Sequence, residues 1–220
     1  MQRITEPELM NDEAQARAYA QANFDEPHNM FIQAFDEAFP EIDVSGYILD
    51  LGCGSADISI RFAQSFPDCV IDGLDGAPQM LAHGKLAIQK AQLEDRIHLI
   101  LGRLPGASLP DDHYEVIMSN SLLHHLHEPD VLWESIKQFG VSGSRVFIMD
   151  LMRPESEQVA REFVDLYASG EPQVLKDDFY HSLCAAFLPE EIQSQLECAD
   201  LSHFKIKVIS DRHVIVFGVL

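Results

Sequence analysis

The chain has 220 residues, enough for one α/β domain with a well-buried core and short for two independent ones. Hydrophobic residues make up 46% and charged residues 23%, which excludes disorder as the default state. With 15 Lys and Arg against 36 Asp and Glu the formal net charge is -21, a field that repels phosphate backbones and anionic lipid, so no nucleic acid and no membrane are expected as partners and a small-molecule substrate is.

The first residues, "MQRITEPELMNDEAQ", lack the basic start and apolar centre of a signal peptide, and no apolar run approaches the ~18 residues of a membrane span. Cys53, Cys69, Cys184 and Cys198 are scattered, with no C-x-x-C pair. Both features predict a cytoplasmic protein with reduced thiols.

At the front, "DEAQARAYAQA" and "HNMFIQAFDEAF" predict two helices, the second with Phe31, Phe35 and Phe39 recurring every four residues. They form an N-terminal cap (1–45) over one edge of a sheet, with enough phenylalanine for a lid or the contact of a possible homodimer. Next come a short buried strand at 46–51, a helix over 55–66 with Ile58, Phe62 and Phe66 at helical spacing before Pro67, and a strand at 69–75. A helix over 77–93 has Pro78 in its first turn, and further strands follow at 96–101, 114–120 and 144–151. "DVLWESIKQFG" is a helix closed by Gly140. Residues 152–188 are too long for a plain loop and pattern as two helices, a lid insertion after strand 5 that also folds over an edge. A last helix and the hairpin "HFKIKVI" and "HVIVFGVL" complete 189–220, with alternation at Phe204, Ile206 and Val208. Strands separated by helices require right-handed crossovers. The expected fold is therefore one domain over 1–220, a doubly wound α/β structure whose mostly parallel seven-stranded sheet ends in an antiparallel hairpin, with its core at 46–151.

"ILDLGCGSADISI" (48–60) joins the first strand to its helix through Gly52 and Gly54. The dinucleotide fingerprint G-x-G-x-x-G demands a third glycine at position 57, where this chain has Asp57, so a nicotinamide-dependent dehydrogenase is the weaker enzyme reading. Two glycines let the backbone approach a ligand, and the Asp50 carboxylate either holds the loop or accepts from a cationic amine. Asp75 ends the next strand, where ribose hydroxyls lie in folds of this kind; Asp72 is the nearby alternative. A plain strand-to-helix connection is the bland account of the same turn.

Together, "LDLGCGSAD", "GLDGAPQML" and "LPDDHYEVIMSNSLLHHL" resemble the glycine motif, the ribose acid with its helix, and the fourth strand of the class I (Rossmann-like) S-adenosylmethionine-dependent methyltransferases. The resemblance covers about 46–150 in motif order and extends to the terminal hairpin. It implies S-adenosylmethionine as cofactor, with Gly52 and Gly54 along its methionine part, Asp75 on its ribose, and Gly102 and Arg103 bordering adenine. Asp50, Cys53, Gly76 and Asn120 complete the core cofactor set, and Tyr19 closes over it from the front helices or packs there. Two positions depart from the family pattern: Ala56 replaces a frequent third glycine, and Arg103 stands where an Asp commonly faces the adenine amine.

On the substrate side, "NSLLHHLHEP" offers His124 and His125 to an acceptor, or is an ordinary polar loop. Its three histidines suggest a metal, but no acid or thiol at helical spacing completes a set, so none is expected. Arg153 clamps a substrate carboxylate or pairs with an acid such as Glu155. In "DDFYHSL", Asp178, Tyr180, His181 and Ser182 are lid residues or a solvated face, while Phe179, Leu183 and Phe187 read as core. Methyl transfer from a sulfonium chiefly requires positioning in a dry site; a base, if the acceptor is a protonated nitrogen or oxygen, is sought among His125, His124 and Tyr180. The segments "SNSLLHHLHEPDVLW", "MDLMRPES", "DFYHSLCAAF" and "SDRHVIVFG" are similar to the methyltransferase module of ovothiol-biosynthesis enzymes. That likeness implies an imidazole nitrogen of a thiolated histidine as acceptor. A non-catalytic S-adenosylmethionine-binding sensor or partner protein is the alternative from another class.

Overall fold

The computed structural model describes residues 1–10, 12–40, 43–110 and 113–220. Two helices, α1 (Glu13–Gln21) and α2 (Asp25–Ala38), precede the alternating core: β1 (Gly46–Leu51), α3 (Asp57–Ser65), β2 (Cys69–Asp75), α4 (Pro78–Ala91), β3 (Ile97–Leu101), β4 (Tyr114–Asn120), α5 (Asp130–Phe139) and β5 (Gly140–Leu151). Then come α6 (Glu157–Tyr167), α7 (Gln173–Ala185), α8 (Pro189–Cys198), β6 (Lys205–Val208) and β7 (His213–Val219). No helix among the described residues is long and apolar enough to cross a membrane.

The strands form one seven-stranded sheet in the order β3-β2-β1-β4-β5-β7-β6, parallel except for β7, which runs antiparallel to both β5 and β6. β1 pairs on one side with β2 and on the other with β4, so the strand order reverses there and a crevice opens beyond the carboxyl ends of these strands. The fold class expected from the sequence is the one observed. β5 is longer than expected, because Gly140 caps α5 in an extended conformation (φ -86°, ψ 160°) and continues directly into the strand.

Each face of the sheet buries its own cluster. On one, Trp133 and Ile136 of α5 and Leu196 of α8 pack on Ile117, Val146 and Ile148. On the other, Phe31 and Phe35 of α2 join Phe62 of α3 over Phe147 of β5; the Phe31 and Phe147 rings meet edge-on at 5.0 Å. Burying such a ring stabilises the fold by about 1.5–3 kcal/mol, with somewhat more from edge-to-face geometry. α2 therefore covers a face of the sheet and not an edge, which corrects the expected placement of the cap. Its phenylalanines are consumed inside the chain, so they offer neither a lid nor the dimer contact anticipated for them.

The insertion packs Ala160 and Val164 of α6 and Leu183 of α7 around Leu151, at the end of β5. It sits beyond the carboxyl ends of the strands, over the crevice. Ahead of α1, residues 1–10 run beneath it: Ile4 N–H donates to the Cys184 carbonyl at 3.0 Å, and the Arg3 guanidinium bonds the carbonyls of Ala185, His124 and Leu126 at 2.6, 3.0 and 3.0 Å.

Candidate active site

A cavity of about 1020 Å³ lies between the strand ends, the front segment and the insertion. Ten carboxylic side chains line it against two guanidiniums, those of Arg103 and Arg212. It brings together Asp50, Gly52, Cys53, Gly54, Asp75, Gly76, Gly102, Arg103, Asn120, Tyr19, His124 and His125, and leaves out Arg153 and Tyr180.

At the glycine turn the backbone takes conformations that favour glycine, with φ of +73° at Gly52 and +53° at Gly54. Ala56 follows at φ 64° as the N-cap of α3, so the position that often carries glycine in the resembled family keeps the left-handed backbone with a methyl group added. The turn is fastened from the next strand: Gly52 and Cys53 N–H donate to the Leu74 carbonyl at 2.8 and 3.1 Å, and Gly54 N–H to Asp75 Oδ2 at 2.8 Å. Asp75 Oδ1 accepts from Ala77 N–H at 2.7 Å. Each oxygen of an ionised carboxylate has a further lone pair, which suits a vicinal diol. Burial lifts the Asp75 acid above its ordinary range despite these bonds. Asp72, the alternative, faces away from the cavity, accepting the Tyr114 hydroxyl at 2.8 Å.

Asp50 is 1% exposed and accepts the Ser59 hydroxyl at 2.5 Å, which holds β1 to α3. Burial pushes its acid up to about 7, against the lowering effect of Ser59. Asn120 Oδ1 is buried without a hydrogen-bond partner among the described residues, an acceptor left open at the end of β4. Burial raises the Cys53 thiol well above its ordinary value and the Tyr19 phenol to about 12, so both are neutral donors. Asp57, where a dinucleotide site needs glycine, receives His28 Nδ1 at 2.5 Å and Arg61 Nε at 2.7 Å and locks α2 onto α3.

The other end of the cavity is assembled from distant segments. His124 and His125 lie on a 3₁₀ turn, Leu123–His125, after β4. Asp150, ending β5, meets His124 Nδ1 at 2.5 Å and also accepts from the backbone N–H of Leu151 at 2.6 Å. On the opposite side Glu6 Oε1 stands 3.5 Å from His124 Nε2 and 3.3 Å from His125 Nδ1, and it accepts the Ser182 hydroxyl at 3.0 Å. Burial disfavours charge on His124, but Asp150 and Glu6 outweigh it and raise the imidazole above its ordinary value. Burial and the adjacent His124 push His125 down to about 3, so its contact with Glu6 is not an ion pair. Burial raises Glu6 as well.

Three expectations are corrected here. Arg153 clamps no substrate: it is 4% exposed, donates to the Ala186 carbonyl at 3.0 Å and pairs with Glu191 at 2.6 Å, not with Glu155. Its position at the end of β5 turns the side chain behind the insertion, where it ties α7 to α8. Tyr180 faces the surface of α7, beneath the Arg161 guanidinium and 3.4 Å from Glu157 Oε2, and is removed as a base. Asp178, Phe179, His181 and Ser182 of the same helix do face the cavity. Thirdly, the acid that local spacing denies to the histidines is present, because the fold supplies Glu6. Sequence reasoning missed Glu6 and Arg212; neither sits in a local pattern that marks it. Arg212, in the turn of the terminal hairpin, stacks on Tyr167 at 3.3 Å and pairs with Asp211 at 3.0 Å.

Residues 48–139 match the methyltransferase domain family. The chain is 27% identical over 121 residues to the release factor glutamine methyltransferase of Rhodopirellula baltica, an alignment that covers 54% of this chain and 41% of that protein. It thus spans well under half the length of that relative. A SAM-dependent methyltransferase of Aquifex aeolicus superposes with a TM-score of 0.66 at 14% identity, covering 94% of this chain and 97% of that one. The plantazolicin methyltransferase BpumL, solved with a monoazolic desmethylPZN analogue and SAH, gives 0.65 at 15% identity, covering 94% and 86%. The chain therefore has the class I, Rossmann-like fold of the S-adenosylmethionine-dependent methyltransferases, with a methyltransferase domain matched at residues 48–139.

Proposed function

We propose that the chain is an S-adenosylmethionine-dependent methyltransferase acting on a small molecule in the cytoplasm. The observation that carries this reading is the pairing, in one cavity, of a glycine turn fastened to Asp75 with an oriented, buried histidine beyond it. The residues present fit the cofactor. Asn120 Oδ1 is an acceptor without a partner, Asp75 keeps lone pairs for ribose hydroxyls, and the acidic lining favours a ligand that carries positive charge at both its sulfonium and its amine. When bound, S-adenosylmethionine supplies a methyl group on a sulfonium, open to displacement by a nucleophile. Asp50 and Asn120 hold the amino-acid part, Asp75 the ribose, Gly102 and Arg103 border adenine, and Tyr19 closes over the pocket.

Positioning and exclusion of water supply most of the rate. Where the acceptor atom carries a proton, His124 Nε2 takes it while Asp150 holds Nδ1. His125, kept neutral down to about pH 3, is too weak a base to compete. The narrower acceptor, an imidazole nitrogen of a thiolated histidine, rests on the likeness of the substrate-side segments. Arg212 offers a guanidinium for its carboxylate and Asp178 a carboxylate for its amine.

The test is calorimetric binding of S-adenosylmethionine, followed by S-adenosylhomocysteine release with thiohistidine, histidine, thiol and carboxylic acceptors. Saturable cofactor binding and turnover with thiohistidine is the expected result. Binding without turnover on any acceptor would make the chain a sensor, and no binding would overturn the reading altogether. Turnover with another acceptor would remove only the thiohistidine proposal.

A further inference from the structure

We propose that Glu6, His124 and His125 form a binding site for one divalent transition cation at the acceptor end of the cavity. Three potential ligand atoms, one from each residue, lie within 4.8 Å of one another. Ligands held at the usual ~2.0–2.1 Å from a tetrahedral Zn²⁺ are about 3.3 Å apart. The two measured edges of the triangle, 3.3 Å from Glu6 to His125 and 3.5 Å from Glu6 to His124, have that length.

Hydrogen bonding points the same way. His124 Nδ1 is engaged by Asp150, which leaves Nε2 directed at Glu6; a carboxylate on the far nitrogen is how metal-bound imidazoles are usually oriented. The His125 ring is hydrogen-bonded to the backbone of Pro7, which has only a carbonyl to offer, while its Nδ1 is buried with no hydrogen-bond partner among the described residues. Nε2 is thus the donor, and Nδ1 turns a lone pair toward the Glu6 carboxylate. Two acceptors facing each other at 3.3 Å repel, and a cation between them converts the conflict into coordination. Ser182 donates its hydroxyl to Glu6 and the backbone N–H of Leu151 donates to Asp150, so each of the two carboxylates has its own donor in the fold.

Two imidazoles and one carboxylate leave a position open, as in catalytic and not structural sites, and that position belongs to the cavity. What the cation does there, though not its binding, rests on the methyl-transfer reading. It orients the acceptor through a sulfur, nitrogen or oxygen atom; the acceptor's proton is then lost to solvent on coordination, in place of transfer to His124.

The experiment is calorimetric titration of the full chain with Zn²⁺, repeated for Glu6→Gln and His125→Ala, with S-adenosylmethionine binding measured in each as a check of folding. One equivalent per chain is expected, weakened at least tenfold by either substitution while cofactor binding is unchanged. Cys198→Ser, at the exposed thiol, controls for adventitious binding and should leave the affinity alone. Zn²⁺ binding that persists in the Glu6→Gln, His125→Ala double variant, or that is absent from the parent chain, overturns the site. Zn²⁺ binding in a chain that takes up no S-adenosylmethionine upholds the site and refutes the methyltransferase reading alone.

Discussion

The two ends of the cavity hold their polar groups in different ways. At the cofactor end, the Asp75 carboxylate receives the backbone N–H groups of Gly54 and Ala77 while those of Gly52 and Cys53 donate to the Leu74 carbonyl, all within two neighbouring strand-to-helix turns. At the acceptor end, His124 is held by Asp150 from β5 on one side and faces Glu6, 118 residues earlier in the chain, on the other. The first end is an outcome of local backbone geometry; the second exists only when the front segment, β5 and α7 are all docked. A cofactor shared by many enzymes needs a constant cradle, whereas an acceptor is recognised by whatever loops close over it, so the contrast fits the way one fold serves different chemistries.

That contrast can be broken at several points. The largest effect is expected for Asp75→Ala, which removes both the proposed ribose acceptor and the anchor of Gly54 and Ala77 N–H. S-adenosylmethionine affinity should fall on the order of 100-fold by calorimetry, since each buried donor left unpaired costs about 1–3 kcal/mol. An unchanged affinity would mean that the turn does not hold the cofactor.

Arg153→Ala comes next. Breaking a buried ion pair costs up to about 3–5 kcal/mol, and because Glu191 is 40% exposed the loss here should be nearer 2 kcal/mol, read as a lower Tm. The KM for the acceptor should not move. A raised KM with an unchanged Tm would return this arginine to the acceptor end.

A smaller effect concerns pH. Burial pushes the Asp50 acid up to about 7, and the cationic amine proposed to lie against it would favour the ionised form. Cofactor affinity should rise by about tenfold between pH 6 and pH 8, with proton release below pH 7 visible in buffers of different ionisation enthalpy. Asp50→Asn should flatten that profile. Without cofactor the sign reverses for stability: an acid raised on folding makes the fold less stable as pH climbs from its ordinary range through about 7. Last, Tyr180→Phe should change both turnover and stability by less than about 0.5 kcal/mol, as expected of a surface hydroxyl; a loss of turnover would place the lid's outer face in catalysis.

Much of the cofactor end was legible before any tertiary structure. Gly52, Gly54 and Asp75 stand where strand periodicity ends and helical periodicity begins, and the dihedral demands of such a turn are written in the residues themselves. Asp57 was legible as the residue that breaks the dinucleotide spacing, but its partners His28 and Arg61 had no signal, because an ion pair between two helices depends on how they dock. The same holds for α2, whose spacing of four gave a helix with an apolar face and nothing about which surface that face would meet. Among the lid residues, periodicity alone could not tell Tyr180, turned outward, from His181 and Ser182, turned in.

From the sequence by itself came the alternation of strands and helices, a mostly parallel seven-stranded sheet ending in an antiparallel hairpin, and the glycine turn with its acid. These follow from dihedral preference, hydrophobic period and handedness, which act over a few residues or apply to every chain. Tertiary structure alone decided that Glu6 completes the pair of histidines, that Asp150 orients His124, and that Arg212 rather than Arg153 faces the cavity. Those outcomes depend on the direction of side chains at the ends of elements, fixed by packing between segments that the sequence keeps far apart.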